Sequence, residues 1–239
     1  MPSDHLSKSF DKELEKLKQH IYRMGGAAEA QFEAAIQCVG KRDSDSAPNV
    51  VAGDKEIDGY ESTINTEAVR VLALRQPMAN DLREVLSALK IAGDLERIGD
   101  YAANIAKRSI ALAQVPAVEP VRAVPRMGRL TQGIIKDVLD AYIDLDVERA
   151  LDAWRRDEEL DDLYTALFRE TLTYMMEDPR TITPCTHLLF IAKNIERIGD
   201  HATNIAETVH FPITGRSVED DRPKGDTTSY EVVNPSHDE

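Results

Sequence analysis

A stretch of thirteen residues occurs twice in this chain, one hundred positions apart. The chain reads LERIGDYAANIAK from Leu95 and IERIGDHATNIAE from Ile195, and nine of the thirteen letters agree. A second segment, DKEIDGYE from Asp54, is matched by DEELDDLY 103 positions later, from Asp157. Segments that recur in the same order indicate that one structural unit has been duplicated. The duplication therefore predicts that the two halves of the chain have similar folds.

Apolar residues recur at helical spacing in both halves, with almost no alternation of the kind that strands show. This spacing predicts six long helices, of which the first ends near Gly40 and the others cover about 48–75, 80–114, 122–145, 147–177 and 184–209. Three prolines, Pro116, Pro120 and Pro125, interrupt the pattern between the third and fourth helices. The sequence therefore predicts an all-α fold of two tandem three-helix bundles.

The domain boundaries follow from this pattern. We expect a first repeat at residues 1–115, a Pro-rich linker at 116–121 and a second repeat at 122–210. Residues 211–239 are polar, charged and rich in Gly, Pro and Ser, which predicts a disordered acidic tail.

Composition excludes several classes of protein. The formal net charge is −14, whereas a nucleic-acid-binding protein is expected to carry a basic surface. The two cysteines, Cys38 and Cys185, are far apart and no CxxC occurs, so neither a zinc ribbon nor a disulfide framework is predicted. We see neither a signal peptide nor a stretch of about 18 apolar residues that could span a membrane. A soluble cytoplasmic protein is expected.

Acidic residues spaced four apart recur at matching places in the two repeats: Asp54/Asp58, Glu96/Asp100, Asp157/Asp161 and Glu196/Asp200. Chance alone gives roughly eight acidic pairs at this spacing, because 43 of the 239 residues are acidic, so spacing by itself proves little. Helical projection at about 100° per residue, however, places all four pairs in line with apolar stripes. In the third helix the stripe consists of Leu82, Val85, Leu86, Leu89 and Ala92, and in the second helix of Ala68, Val69 and Leu72.

Carboxylates directed toward a core are costly unless a cation or a hydrogen bond offsets their charge. Arg97 and Arg197 project about a quarter turn away from the acids and are imperfect partners. Facing pairs from two packed helices would bring four carboxylates together, which suits Mg²⁺, Mn²⁺, Ca²⁺ or iron. Gly99 and Gly199 are costly inside helices, and we expect them to permit close approach of another backbone. The pattern therefore predicts one metal site or cluster per repeat.

The opposite side of the third and sixth helices is also apolar. Its residues are Ile91, Ile98, Ala102, Ile105 and Leu112, and then Ile191, Ile198, Ala202 and Ile205. A helix that is apolar on both sides is usually central to a bundle, and burial is the simpler interpretation. An interface with a second copy or a partner is the other interpretation.

The residues by themselves are also compatible with two other functions. One is a carboxylate-bridged di-metal oxidase or hydrolase, although the pattern Glu-x-x-His occurs only at Glu207 and His210, where a ferritin-like enzyme needs it on two helices. The other is a purely structural bundle whose carboxylates form salt bridges. None of the common phosphate-binding or nucleophile motifs is present, and no nucleophile with a base can be placed.

Over about residues 7–210 the chain resembles the PhoU family. The resemblance rests on LALRQPMANDLR before the third helix, on GDLERIGDYAANIAKR, and on KNIERIGDHATNIAE in the second half. It implies two three-helix bundles related by pseudo-twofold symmetry. It also implies metal clusters, with Mg, Mn, Fe or Zn as candidates, held by Asp54/Asp58 with Glu96/Asp100 and by Asp157/Asp161 with Glu196/Asp200. Glu61 would join the first set, whereas Tyr164 takes its place in the second.

The resemblance also implies a function. Members of the family are accessory proteins of bacterial phosphate-specific transport and negative regulators of the phosphate-starvation response. The implied partners are the phosphate-sensing histidine kinase and the ATPase subunit of the phosphate ABC transporter. The family further implies a cytoplasmic homodimer that is not an enzyme.

Overall fold

The computed structural model describes residues 3–78, 80–214 and 228. Its long elements are all helices: α1 (Ser3–Lys41), α2 (Ala47–Arg75), α3 (Asn80–Ala113), α4 (Val124–Asp144), α5 (Val147–Arg155), α6 (Asp157–Glu177) and α7 (Ile182–Thr214). Short 3₁₀ helices precede α4 and α7, at Glu119–Ala123 and Pro179–Thr181. The described residues contain no strand, and the all-α prediction is confirmed.

The helices form two bundles that pack side by side. Helices α1, α2 and α3 contact one another as repeat 1, and α4, α5, α6 and α7 contact one another as repeat 2. The repeats meet through α3 with α7 and through α1 with α4, and the α3–α7 contact is the most extensive between any two helices described. Asp94 contacts His201 and Arg108 contacts Phe190, so residue numbers rise along α3 as they fall along α7. These two helices are therefore antiparallel.

The contact between α1 and α4 shows the pseudo-twofold relation directly. A Cβ atom placed on Gly25 would meet the side chain of Leu139, and one placed on Gly128 would meet that of Ile36. Both members of each equivalent pair are 103 positions apart, and the tripeptide RMG ends at each of these glycines. A contact whose two halves are equivalent in this way is isologous, as in a twofold dimer. The duplication therefore extends to the first helix of each repeat.

The helix predicted at 147–177 is divided by a turn at Arg156, which has φ −74° and ψ −8°. Helices α2 and α5 begin 100 positions apart, at Ala47 and Val147, whereas the equivalent acids Asp54 and Asp157 are 103 apart. Repeat 2 thus has three additional residues before Asp157. In an unbroken helix they would rotate this acid by about 300°. The turn at Arg156 accommodates the three additional residues. Asp157 therefore faces α7 as its equivalent, Asp54, faces α3.

The second apolar side of α3 and α7 is buried within the chain. Its nine residues are at most 1% exposed: Ile91, Ile98, Ala102, Ile105, Leu112, Ile191, Ile198, Ala202 and Ile205. Burial of a side chain as large as isoleucine stabilises the fold by roughly 1.5–3 kcal/mol. Burial in the core is therefore confirmed over the alternative of an exposed interface.

The predicted linker and tail are only partly described. The linker 116–121 leads into the 3₁₀ helix before α4, and its Pro120 is buried. Helix α7 continues to Thr214, four residues into the region predicted as a tail, and Val209 in its last turns is 2% exposed. The remaining tail residues, apart from Thr228, lie outside the described part of the chain. No helix among the described residues has the length and apolarity needed to cross a membrane.

Candidate functional site

The five acids predicted in repeat 1 form one electrostatically coupled group on α2 and α3. Burial raises the pKa of Asp54 and the carboxylates of Asp100 and Asp58 raise it further, whereas a hydrogen bond with the Gln31 side chain lowers it. Burial likewise raises the pKa of Glu96, with added effects of Asp100, Glu61 and Asp58. We call these five residues the repeat 1 cluster. Its side chains are half-buried, apart from the exposed Asp58.

The four acids predicted in repeat 2 are more deeply placed, on α6 and α7. Asp157, Asp161 and Glu196 are 1%, 3% and 5% exposed, and Asp200 is half-buried. Burial raises the pKa of Glu196 to about 7, and Asp200 and Asp161 also raise it, although a hydrogen bond from Lys193 acts in the opposite direction. We call these four acids the repeat 2 cluster.

Gly99 on α3 and Gly199 on α7 occupy equivalent positions in the two clusters. A Cβ atom on Gly99 would lie 3.2 Å from Asp54 Oδ1 and 2.8 Å from Ile57 Cδ1, and one on Gly199 would lie 3.2 Å from Asp157 Oδ1. The expected close approach is therefore made by side chains of the preceding helix, and the expectation of a backbone was wrong. Each glycine leaves room for a carboxylate to lie against the facing helix.

The apolar stripes predicted on α2 and α3 are wrong at Val69 and Leu86, which are 61% and 42% exposed. The buried residues of α2 after its first turn are Ile57, Ile64, Ala68 and Val71. They recur at intervals of seven, four and three, and Val69 lies about 100° beyond Ala68 around the helix. The acids of α2 consequently lie along the edge of the buried face, which explains why Asp58 is exposed.

Gln31 on α1 also belongs to the surroundings of the repeat 1 cluster, and the sequence analysis missed it. Gln31 is 7% exposed, and its Nε2 donates a hydrogen bond to the carbonyl oxygen of Val50 at 3.0 Å. Its Oε1 is buried without a hydrogen-bond partner and lies 3.2 Å from the Cβ position of Gly99, as Asp54 Oδ1 does. A buried, unpaired amide oxygen beside carboxylates adds a neutral oxygen donor to the cluster.

A pattern in α1 could have revealed Gln31. The residue falls on the apolar stripe of that helix, three positions after Ala28 and four before Ala35, both of which are fully buried. A polar residue on such a stripe needs a partner in the interior. The equivalent residue in repeat 2, 103 positions later, is Ile134, so only repeat 1 has this amide.

Cationic side chains near the two clusters are arranged differently. Arg97 lies between the acids of α3, with Nε 3.5 Å from Glu96 Oε2 and Nη1 3.3 Å from Asp100 Oδ2. Its side chain is 56% exposed, so these ion pairs neutralise the acids only weakly. Its equivalent, Arg197, lies over the ring of Tyr101 at 5.6 Å from the centroid. Both arginines are therefore imperfect partners for the acids, as expected.

The described residues contain no group of three or more His, Cys, Asp or Glu side chains arranged to hold a metal ion. The chemistry of the donors nevertheless fits a hard cation, because both clusters consist of oxygen donors. In repeat 2, Glu196 Oε2 is buried without a hydrogen-bond partner, as Gln31 Oε1 is in repeat 1. An all-oxygen set suits Mg²⁺, Mn²⁺ or iron better than zinc, which usually takes histidine or cysteine. Rotation of the carboxylates would be needed to hold such an ion.

Similarity to known proteins agrees with this architecture. The PhoU domain family matches residues 21–109 and 124–209, one stretch in each repeat. Two relatives are the phosphate-specific transport system accessory protein PhoU homolog of Caulobacter vibrioides (strain NA1000 / CB15N) and the accessory protein PhoU of Escherichia coli (strain K12). The first is 53% identical over 228 residues, 95% of this chain and 99% of the relative. The second is 38% identical over 212 residues, 89% of this chain and 88% of the relative.

Solved structures show the same fold. The crystal structure of PhoU from Pseudomonas aeruginosa matches with a TM-score of 0.85 and 39% identity, covering 87% of this chain and 100% of that one. PhoU from Streptococcus pneumoniae matches with a TM-score of 0.81 and 31% identity, covering 88% and 99%. Family, relatives and fold agree over both repeats, so this chain belongs to the PhoU family and carries two PhoU domains in tandem.

Proposed function

We propose that this chain is a cytoplasmic, metal-binding adaptor that represses the phosphate-starvation response when phosphate is plentiful. In this role it contacts the phosphate-sensing histidine kinase and the ATPase subunit of the phosphate ABC transporter, and thereby modulates phosphate uptake. Its membership of the PhoU family, whose relatives are named accessory proteins of phosphate-specific transport, supports the pathway. The metal-binding part is carried by one observation, the recurrence of buried and half-buried carboxylates at equivalent places in both repeats.

The residues that would hold the metal lie on neighbouring helices. In repeat 1, Asp54, Asp58 and Glu61 extend from α2, and Glu96 and Asp100 from α3. Like charges on two neighbouring helices repel and oppose the packing of these helices. A bound cation would supply the positive charge that offsets this repulsion. The carboxylates would then hold α2 against α3, and the outer surface of the bundle would keep one shape for a partner.

The equivalent acids in repeat 2 act between α6 and α7. Asp157 and Asp161 extend from α6, and Glu196 and Asp200 from α7. Because α3 and α7 pack against each other, both clusters lie on helices that form the centre of the molecule. A change in either cluster would therefore reach the contact between the repeats.

The role of an adaptor is favoured over that of an oxidase or hydrolase. Glu207, the acid of the only Glu-x-x-His pattern, accepts a hydrogen bond from Trp154 Nε1 at 3.0 Å. This bond fixes the carboxylate against α5, as a structural residue. The relatives are named accessory proteins, which also supports a protein that is not an enzyme. We further propose that the adaptor is a homodimer, as expected for the family.

A genetic experiment tests the regulatory role. A strain that lacks the gene is expected to express its phosphate-starvation genes in phosphate-rich medium, and the wild-type gene is expected to restore repression. A variant with Glu96→Gln, Asp100→Asn, Glu196→Gln and Asp200→Asn is expected not to restore it. A control with Asp152→Asn and Glu119→Gln, both exposed acids, is expected to behave as the wild type. Full repression in the deletion strain would overturn the proposed role.

Metal analysis tests the binding site separately. The purified wild-type protein is expected to retain Mn or Fe after gel filtration, measured by inductively coupled plasma mass spectrometry. The same fourfold variant is expected to lose most of it. If both proteins lack metal even after incubation with Mn²⁺ or Fe²⁺, the metal-binding part of the proposal is wrong.

A further inference from the structure

The two clusters differ in charge at two equivalent positions. Glu61 of repeat 1 is replaced by Tyr164 at the equivalent position, 103 residues later, and Gly93 is replaced by Lys193, 100 residues later. Repeat 1 therefore has one carboxylate more, and repeat 2 has one ammonium more. Both exchanges make the surroundings of the second cluster less negative.

In repeat 2 the two exchanged residues contact each other. Lys193 Nζ donates to Glu196 Oε1 at 2.8 Å and lies 4.9 Å from the centroid of the Tyr164 ring. An ammonium over an aromatic face is stabilised by the negative potential of the ring. The tyrosine that replaces a carboxylate thus helps to hold a cation that belongs to the protein itself. The ammonium of Lys193 supplies to Glu196 the positive charge that a metal ion would otherwise supply.

Repeat 1 has no lysine at the position equivalent to Lys193. A Cβ atom on Gly93 would have no atom within 4 Å, so a side chain can begin there without a clash. Glu61 adds a fifth carboxylate to the four acids that repeat 1 shares with repeat 2. Arg97 is the cationic side chain beside these carboxylates, and because 56% of it is exposed it neutralises them only weakly.

Repeat 1 also has an additional oxygen donor. Gln31 Oε1 is buried, has no hydrogen-bond partner and lies beside Asp54 against Gly99. An amide oxygen is a common ligand of hard cations, and it adds no charge. Repeat 2 has the apolar Ile134 at this place.

We infer that the two repeats bind metal unequally: a divalent cation binds tightly to the repeat 1 cluster with Gln31 as an additional ligand, whereas Lys193 replaces the cation in repeat 2. This inference rests on the metal-binding part of the proposed function. Glu196 Oε2 remains without a partner, so repeat 2 retains weak affinity for a second ion. One repeat is therefore the metal-dependent half of the molecule, and the other is stabilised by its own lysine.

Titration with Mn²⁺ separates the two repeats. The full-length protein is first treated with a chelator and then titrated by calorimetry, with electron paramagnetic resonance of free Mn²⁺ as a second measurement. The wild type is expected to show one class of high-affinity sites for Mn²⁺, called the tight class, and a second, weak class whose affinity is at least tenfold lower. Glu96→Gln with Asp100→Asn is expected to remove the tight class. Glu196→Gln with Asp200→Asn is expected to leave it unchanged.

Exchange variants test the assigned residues. Gly93→Lys is expected to weaken the tight class at least tenfold, while the matched control Gly93→Ala leaves it within twofold. Gln31→Leu is expected to weaken the same class, and circular dichroism verifies that each variant folds. In repeat 2, Lys193→Gln is expected to tighten the weak class at least fivefold. If Tyr164→Glu is added and still folds, the weak class is expected to tighten further.

The outcomes distinguish this inference from the proposed function. Equal affinities of the two repeats, or loss of the tight class in the Glu196→Gln/Asp200→Asn variant, would overturn the inference and leave metal binding in place. Unchanged binding in Gly93→Lys and Lys193→Gln would likewise overturn it. Absence of any Mn²⁺ binding by the wild type would instead refute the metal-binding part of the proposed function.

Discussion

His201 on α7 donates a hydrogen bond from Nδ1 to Oδ1 of Asp94 on α3, at 2.8 Å, and this pair joins the two repeats. Asn204 Nδ2 donates to the same oxygen at 3.3 Å. The residues equivalent to Asp94 and His201 are Asn194 and Tyr101, so the pseudo-twofold relation does not reproduce this hydrogen bond. Asp94 therefore accepts both of these hydrogen bonds on one side of the axis that relates the repeats.

Replacement of Asp94 by alanine is expected to destabilise the fold. It removes the acceptor of two hydrogen bonds and leaves partly buried donors of α7 unpaired, at a cost of about 1–3 kcal/mol. Urea unfolding followed by circular dichroism measures the free energy of unfolding. The control is Asp152→Ala, because Asp152 is 73% exposed and its ion pair with Arg155 contributes at most about 1 kcal/mol. Equal effects of the two variants would contradict a role of Asp94 in joining the repeats.

Replacement of Gly99 by alanine is expected to destabilise the protein although alanine favours helices. The added Cβ would lie 2.8 Å from Ile57 Cδ1 and 3.2 Å from Asp54 Oδ1, so these side chains must move, at a cost of about 1–3 kcal/mol. Gly59→Ala is the matched control, since a Cβ there has no atom within 4 Å. That control is expected to stabilise the protein by about 0.5–1 kcal/mol. Stabilisation by both variants in urea unfolding would show that Gly99 is not needed for packing.

Most of the fold could be predicted because long amphipathic helices carry their own periodicity. The equivalence of α1 and α4 was implied by the two three-helix units, although only the short tripeptide RMG at Gly25 and Gly128 marks it in the sequence. The turn at Arg156, in contrast, was missed. Helical periodicity is present on both sides of it, and only the direction of Asp157 toward α7 requires the break.

The acids of the candidate site could be identified from the sequence, but the contacts of the side chains around them could not. Each acidic pair lies within one helix, so its spacing is visible in the sequence. The position of Gln31 beside Asp54 depends on how α1 packs against α2 and α3, which local periodicity does not contain. Lys193 lies three residues before Glu196 and was visible as a helical neighbour, but its contact with Tyr164 depends on the packing of α6 against α7.

Mn²⁺ is expected to raise the melting temperature of the chelator-treated protein. An ion that binds only the folded chain stabilises it by about 2.7 kcal/mol at a concentration one hundred times its Kd. Differential scanning fluorimetry with increasing Mn²⁺, and then with excess EDTA, measures the effect and its reversal. The variant with Glu96→Gln and Asp100→Asn is expected to lose most of the increase. An equal increase in that variant would mean that Mn²⁺ acts outside the repeat 1 cluster.

The stability of the metal-free protein is expected to fall as pH rises toward neutral, because of Glu196. Burial raises the pKa of this carboxyl from 4.5 to about 7, so the folded chain retains a proton that the unfolded chain releases. The resulting stabilisation is fully present below pH 4.5 and is lost as pH rises through 7. It amounts to about 3 kcal/mol, at roughly 1.36 kcal/mol for each pH unit between the two pKa values.

Glu196→Gln isolates this effect, because the amide cannot ionise and still offers an oxygen to Lys193. Urea unfolding in EDTA at pH 5 and pH 8 is expected to show a larger loss of stability in the wild type than in the variant, by about 2–3 kcal/mol. The control Glu119→Gln, at an exposed carboxyl, is expected to follow the wild type. Parallel loss in the wild type and in Glu196→Gln would mean that Glu196 is already ionised in the folded protein at pH 5. Its burial would then be offset by Lys193 alone.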